Sequence, residues 1–313
     1  MGVSIDMIHA PLGDLELESR LSSLPEDGIT RFSMLGSSVK GALISGSRIA
    51  AAARAQHGLG LIESLALSQA LLCAGLLSTT IKDGDRLGLR MECTGVLEGF
   101  SVDATWDGNL RGYLFCEPIL LDKALESFDL RPFIGSGTLS VRRTQEDGEP
   151  YTGHIALVHG RIAEDLAEYY LRSEQTRTAL GASVRFDAQG RVAGAGGVFF
   201  QALPGAKDLD MEDLEIRMRE IPSLGTWFAQ GHTREDFLRE WFGAFDFQTL
   251  SESPAVFYCP CSRERYASFL GALGKDELSS MAEEGPWPTE LVCHNCGSRY
   301  SFGKDELVSM LEA

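Results

Sequence analysis

The sequence predicts an α+β fold: a core of antiparallel sheet with packed helices, then a helical stretch, then a small cysteine-bearing C-terminal module. Three observations carry this reading. Short apolar segments come in pairs around turn residues, without a strand–helix–strand rhythm. Past Pro204-Gly205 the strand signals stop and helical periodicity takes over. Four of the seven cysteines fall in the last fifth of the chain.

Residues 1–35 are mixed, and about 1–27 read as an unassigned extension. From Ser37 to Leu77 small and apolar residues predominate. "RIAAAARAQHGLG" and "LIESLALSQALLCAGLLSTTI" predict two helices separated by Gly58 and Gly60. The second is apolar but interrupted by Glu63, Ser64 and Gln69, which argues for a buried helix rather than a membrane span.

Strand signals follow. "RLGLRMEC", "LEGFSVDATW" and "LRGYLF" alternate or cluster apolar residues, with a tight turn at Asp107-Gly108-Asn109. "TLSVRRT" and "YTGHIALV" flank Asp147-Gly148, and "ASVRFD" and "VFFQAL" flank Gln189-Gly190. A helix, "IAEDLAEYYLRSE", lies between the last two hairpins. "GAGG" at 194–197 lacks the third glycine of a dinucleotide loop and runs into a strand.

The domain reading is therefore a core over 1–206, a helical linker over 207–253 and a module over 254–313. In the linker Met211, Leu214, Met218 and Ile221 recur at helical spacing, as do Phe237, Leu238, Trp241, Phe242 and Phe245. Such amphipathic helices must lay their apolar faces on something, and an arm packed on the sheet is the simplest arrangement. The module repeats "GKDEL" at 274 and 303, each a helix start with acidic residues in its first turn. Neither copy ends the chain, so neither is a retention signal.

A net charge of −17 over 313 residues disfavours nucleic acid and anionic membrane as partners, and favours solubility. The N-terminal residues lack a basic-then-apolar export pattern, so a reducing cytoplasmic location is expected. There a cysteine cluster implies metal or redox chemistry more often than structural disulfides.

Cys259 and Cys261 form a Cys-x-Cys; Cys293 and Cys296 form a Cys-x-x-Cys followed by Gly297. Two such pairs supply the four corners of a tetrahedral thiolate site for Zn2+, and so small a module needs metal to fold. Four thiolates complete the site without His294. Each pair could also join as its own disulfide, Cys259–Cys261 and Cys293–Cys296, if its turn permits. Spacing alone fits a redox switch and a static structural zinc equally well. Cys73, Cys93 and Cys116 sit in apolar contexts where inert thiols are the default. His154 and His159 have no acidic motif or serine elbow beside them, and no catalytic constellation emerges, so the protein is not expected to be an enzyme.

These residues resemble the 33 kDa chaperonin family, the bacterial redox-regulated heat-shock holdases. "CPCSRERYASFLGALGKDEL" and "CHNCGSRYSF" are similar to its zinc module. "GFSVDATWDGNLRGY", "IAEDLAEYYLRSEQTRT" and "AGGVFFQALPGA" are similar to its core segments. The resemblance covers roughly residues 28–312. It implies a zinc-bound reduced form that is inactive, with Cys259, Cys261, Cys293 and Cys296 as ligands and redox sensors. It implies that oxidation releases zinc, forms two disulfides and unfolds the module and a metastable linker. The exposed surface, with Trp227, Phe228, Trp241 and Phe242 as candidate residues, would then bind unfolding client proteins without ATP, as a homodimer. Cys73, Cys93 and Cys116 lie outside that switch, and the first residues run longer than the family pattern.

Other functional classes carry different marks. A thiol–disulfide oxidoreductase using Cys293 and Cys296 would favour a thioredoxin-like helix start, which the sequence lacks. A nucleic-acid-binding zinc protein would want a basic module, and this one has more Asp and Glu than Lys and Arg. A zinc-stabilised binding protein without a switch differs from the holdase only in its response to oxidation.

Overall fold

The computed structural model describes residues 15–116, 118–120, 127–146 and 148–312. Residues 1–14 of the unassigned extension and Asp147 of the second expected turn lie outside them. In chain order the core holds α1 (Leu15–Ser23), β1 (Gly28–Met34), β2 (Val39–Ser45), α2 (Ser47–His57), α3 (Leu61–Leu77), β3 (Arg86–Cys93), β4 (Gly99–Thr105) and β5 (Asn109–Leu114). It continues with α4 (Arg131–Ile134), β6 (Gly137–Thr144), β7 (Tyr151–Ala156), α5 (Ile162–Ser173), β8 (Thr178–Phe186) and β9 (Val192–Ala202). Then come α6 (Asp208–Glu220), α7 (Leu224–Ala229), α8 (Arg234–Phe242), β10 (Gln248–Pro254) and β11 (Val256–Phe257). The chain closes with α9 (Arg263–Gly271), α10 (Lys275–Glu284), β12 (Thr289–Val292), β13 (Arg299–Phe302) and α11 (Lys304–Glu312). The α+β expectation holds.

Two sheets organise the core. One runs in the order β10-β1-β2-β9-β8, with every neighbouring pair antiparallel. The other runs β11-β5-β4-β3-β6-β7 and is antiparallel except where β11 joins β5 in parallel. Helix α3 is buried along nearly its whole length and touches strands of both sheets. The span Leu61–Thr80 has the length and hydropathy to cross a bilayer, yet 89% of its apolar window is buried within the protein. It is the central core helix, as its interrupting polar residues suggest.

The first sheet buries side chains on both faces. Ile29, Ala42, Ile44, Ala195 and Phe199 point into the core shared with α2 and α3. Phe32, Met34, Val39, Leu43, Val198 and Phe200 point the other way, into a second cluster closed by α6, α7 and α8. Strands covered on both sides lose the polar–apolar alternation that marks a half-exposed strand. That is why β1 and β2 are hard to see in the sequence and why β9 extends further than the segment expected there. The helical arm thus lies on the sheet, with its final residues, Gln248–Pro254, forming the edge strand β10 beside β1 rather than helix. Ala255 alone separates β10 of one sheet from β11 of the other. In the unassigned N-terminal region α1 is a helix: Leu21 is buried in the core, and Arg20 donates to the Val192 carbonyl at 2.8 Å.

Two local devices seat the arm. The "GAGG" run at 194–197 is a packing surface. A β-carbon at Gly194 would stand 2.2 Å from the Gly225 carbonyl oxygen, and one at Gly196 would stand 2.3 Å from the Phe228 ring. Glycine there lets α7 lie directly on β9. Helix α8 starts with a Thr233/Asp236 capping box. From its first turn Arg234 reaches across the sheet, donating from Nε to Thr30 Oγ1 at 2.9 Å and from Nη1 to Ser45 Oγ at 2.8 Å. Its Nη2 lies 3.8 Å from Glu252 of β10.

Gly196→Ala should overpack this contact and cost about 1–3 kcal/mol. The expected result is a lower urea midpoint together with stronger binding of an apolar dye. An unchanged midpoint would mean that α7 does not rest on β9. Arg234→Ala removes hydrogen bonds to β1 and β2 and an ion pair with β10, and should destabilise the arm by roughly 1–3 kcal/mol. Protease nicking within 207–247 of the reduced protein would report it.

Candidate metal centre

Strand β11 delivers the first cysteine pair to the edge of the second sheet. Val256 donates to the Gly108 carbonyl at 3.0 Å and Tyr258 to that of Leu110 at 2.8 Å, so the chain beyond is held beside β5. Cys259 and Cys261 follow at once, before Ser262 caps α9 by accepting from the Arg265 amide. The second pair sits in the turn of the β12–β13 hairpin. Gly297 donates to the Cys293 carbonyl at 2.7 Å, and Cys293 donates to that of Ser298 at 2.8 Å. Gly297 has φ +70°, and a β-carbon on it would stand 2.2 Å from the Gln56 carbonyl oxygen. Glycine is required twice over, by the left-handed turn and by the close approach to the end of α2.

The four sulfurs of Cys259, Cys261, Cys293 and Cys296 all lie within 4.8 Å of one another. Cys259 and Cys293 Sγ are 3.8 Å apart, and Cys261 and Cys296 Sγ are 3.3 Å apart. A tetrahedron with metal–sulfur bonds of about 2.3 Å has edges of about 3.8 Å. The spacing and the all-sulfur donor set therefore fit a four-coordinate metal ion. Each cysteine is less than a tenth exposed, between 3% and 9%.

Further donors surround the cluster. Ser298 Oγ lies 3.1 Å from Cys296 Sγ, and the Tyr300 hydroxyl donates to Cys261 Sγ at 3.1 Å. The Tyr266 hydroxyl and the Asn295 amide reach Cys293, and the Cys261 amide reaches Cys259. Tyr266 and Tyr300 stack with ring centres 4.9 Å apart. Four sulfurs this close cannot all carry charge without a cation. Hydrogen bonds from Cys259 and Cys296 pull the Cys293 thiol far down. The same contact with Cys293 pushes Cys259 up to about 11, and Cys296 is likewise raised by Cys259 and Cys293. A divalent ion would resolve that conflict by holding every sulfur as thiolate.

The core contributes to the same place. Gly112 of β5 donates to the Asn295 carbonyl at 3.0 Å. Arg111 Nη1 lies 3.9 Å from Cys259 Sγ. His57, at the end of α2, packs on Phe257 with ring centres 6.2 Å apart, and burial lowers its pKa so that it stays neutral. Nothing in the sequence singled out Arg111, His57, Tyr266 or Tyr300, because long-range packing brings them here. His294, between the paired cysteines, is exposed and rests near Tyr113 with ring centres 5.6 Å apart, outside the sulfur cluster.

The remaining singled-out residues lie elsewhere. Trp227, Phe228 and Phe242 belong to the arm and are buried between it and the sheet, and Trp241 packs partly buried against the same cluster. Trp227 Nε1 donates to the Thr233 carbonyl at 3.0 Å. Cys73, Cys93 and Cys116 stand apart from the four-sulfur group. Burial pushes Cys73 up to about 12 and Cys116 up to about 11, and it raises Cys93 as well, so all three are protonated, unreactive thiols at neutral pH.

Known proteins share this fold. The family model described as Hsp33 protein matches residues 27–303. The chain is 37% identical over 260 residues to the 33 kDa chaperonin of Symbiobacterium thermophilum, covering 82% of this chain and 88% of that one. It is 31% identical over 289 residues to the 33 kDa chaperonin of Acetivibrio thermocellus, covering 92% and 97%. A crystal structure of the 33 kDa chaperonin, a heat shock protein 33 homologue, from Thermotoga maritima superposes with a TM-score of 0.83 at 29% identity. That match covers 92% of this chain and 98% of the other. The family match, the shared fold and the four-sulfur cluster agree: this chain belongs to the Hsp33 protein family.

Proposed function

We propose that this chain is an ATP-independent holdase governed by the redox state of Cys259, Cys261, Cys293 and Cys296. In this reading it holds one Zn2+ and is inactive when reduced, and it protects unfolding proteins when oxidised. The observation that carries the proposal is one chain that connects a buried four-sulfur cluster, through β11 and β10, to an arm hiding an aromatic face. The proposed division is a core over 1–206, a linker over 207–253 and a switch module over 254–313, acting in the cytoplasm and as a homodimer when active.

Bound zinc would supply the module with folding energy, roughly 10–16 kcal/mol of apparent binding free energy. That is comparable to the entire stability of an ordinary domain, about 5–15 kcal/mol. The module's own apolar cluster is small, with Leu270, Leu278, Ala282, Phe302 and Leu307 at its centre. Oxidation by a peroxide removes the thiolate donors. The Cys259 and Cys261 sulfurs join while their two electrons break the O–O bond, and two protons from solvent complete two waters. Cys293 and Cys296 consume a second peroxide in the same way. The pairing follows the family resemblance, since the cross-pair distances of 3.8 and 3.3 Å are short as well. Without metal the module loses its fold, the arm loses its anchor, and the aromatic surface of Trp227, Phe228, Trp241 and Phe242 becomes available to clients.

Light scattering from a chemically unfolded client diluted into buffer tests the reading. The pre-oxidised protein should suppress aggregation and the reduced, zinc-loaded protein should not. If both forms are inert or equally active, the cysteines merely staple a small module. Turnover of a dithiol substrate would instead favour an oxidoreductase. In a second test, replacing Cys293 and Cys296 together by serine should lower retained zinc to less than about a tenth of the wild-type content in the presence of a chelator. Metal analysis after gel filtration reads this out, and full retention would remove these sulfurs from the ligand set.

A further inference from the structure

Four thiolates around a divalent cation carry a net charge of −2, and here that charge would be almost wholly buried. Such a charge needs local compensation. Amide and hydroxyl donors supply part of it from within the module. Among the described residues, Arg111 is the one arginine or lysine hydrogen-bonded to a cysteine sulfur, and it comes from the core. Its fork is held by strand register: Arg111 on β5 stands opposite Asp103 on β4. Nε and Nη2 bond Asp103 Oδ2 at 3.1 and 3.0 Å, which leaves Nη1 aimed at Cys259 Sγ. A planar guanidinium can serve both anions at once, as an ammonium could not.

Backbone hydrogen bonds also link core and module, from Val256 to Gly108, from Tyr258 to Leu110 and from Gly112 to Asn295, and the neutral His57 ring meets the Asn295 backbone. None of these groups changes charge when a cysteine is oxidised. The partner of Arg111 does. We propose that Arg111 is a charge-sensing clamp, holding the C-terminal module on the core while Cys259 is anionic and releasing it when disulfide formation makes that sulfur neutral. Oxidation then acts twice: it removes the donors of the metal, and it leaves a half-buried guanidinium facing a neutral disulfide. The clamp rests on the proposed metal and redox role of the cysteines.

The test uses full-length, reduced, zinc-loaded protein as wild type, Arg111→Gln and Arg111→Lys. Hydrogen exchange at the Val256, Tyr258 and Gly112 amides reports docking, zinc content reports the metal centre, and exchange in β2 and β9 reports the core fold. In Arg111→Gln, core protection should match wild type and zinc should stay bound in the absence of a chelator, since the amide and hydroxyl donors of the module remain, while the three docking amides exchange about tenfold faster or more. Arg111→Lys keeps the charge without the fork and should lie between the two. If Arg111→Gln does not fold, the lysine variant decides, and wild-type exchange at the docking amides would overturn the clamp. Equal exchange in zinc-loaded Arg111→Gln and wild type overturns the clamp alone. A wild-type protein that binds no zinc overturns the metal reading and the clamp with it.

Discussion

Strands β1, β2 and β9 carry apolar side chains on both faces, and that double-sided burial constrains the rest of the molecule. A sheet of this kind is stable in water only if something covers each side. Helix α3 covers one side permanently, since it is enclosed between the two sheets. The other side is covered by α6, α7 and α8, with α7 packed on β8 and β9 and α8 on β2. The arm is therefore an essential cover, laid on the sheet from outside. Uncovering it would expose Phe32, Met34, Val39, Leu43, Val198 and Phe200 on the sheet as well as the aromatic residues of the arm. A holdase would gain two complementary apolar surfaces from a single event.

The sulfur cluster occupies a different kind of position. It packs with the main core, yet its four cysteines come from a module with a separate apolar centre. Residues of β5 and of the end of α2 complete its surroundings. The site thus depends on two things together, its own four sulfurs and its seat on the core. A metal centre placed wholly inside the module would stabilise that module alone.

How much of this could be read in the sequence depends on which physical signal each part leaves. Strands β3 to β7 alternate because their sheet has one covered face, and their turns carry Gly and Asn, so they were legible. Strands β1 and β2 lack alternation, and β10 is a polar, exposed edge strand without an apolar face, so they were not. The glycines of 194–197 were visible as a motif but not as a packing surface, because their partner, α7, lies some thirty residues on. The cysteine pairs were legible because chelation imposes local spacing. Arg111 was not: 148 positions separate it from Cys259, and an arginine beside an acidic strand neighbour looks like an ordinary surface ion pair.

The single residue between β10 and β11 has a mechanical meaning. One extended residue spans about 3.3–3.6 Å, so Ala255 leaves almost no slack between strands that belong to different sheets. If β11 moves from β5 by more than that length, β10 must follow or strain against β1. The two edges are loaded in series, like links of a chain drawn taut. A displacement of β11 would thereby load the sheet edge beside Arg234.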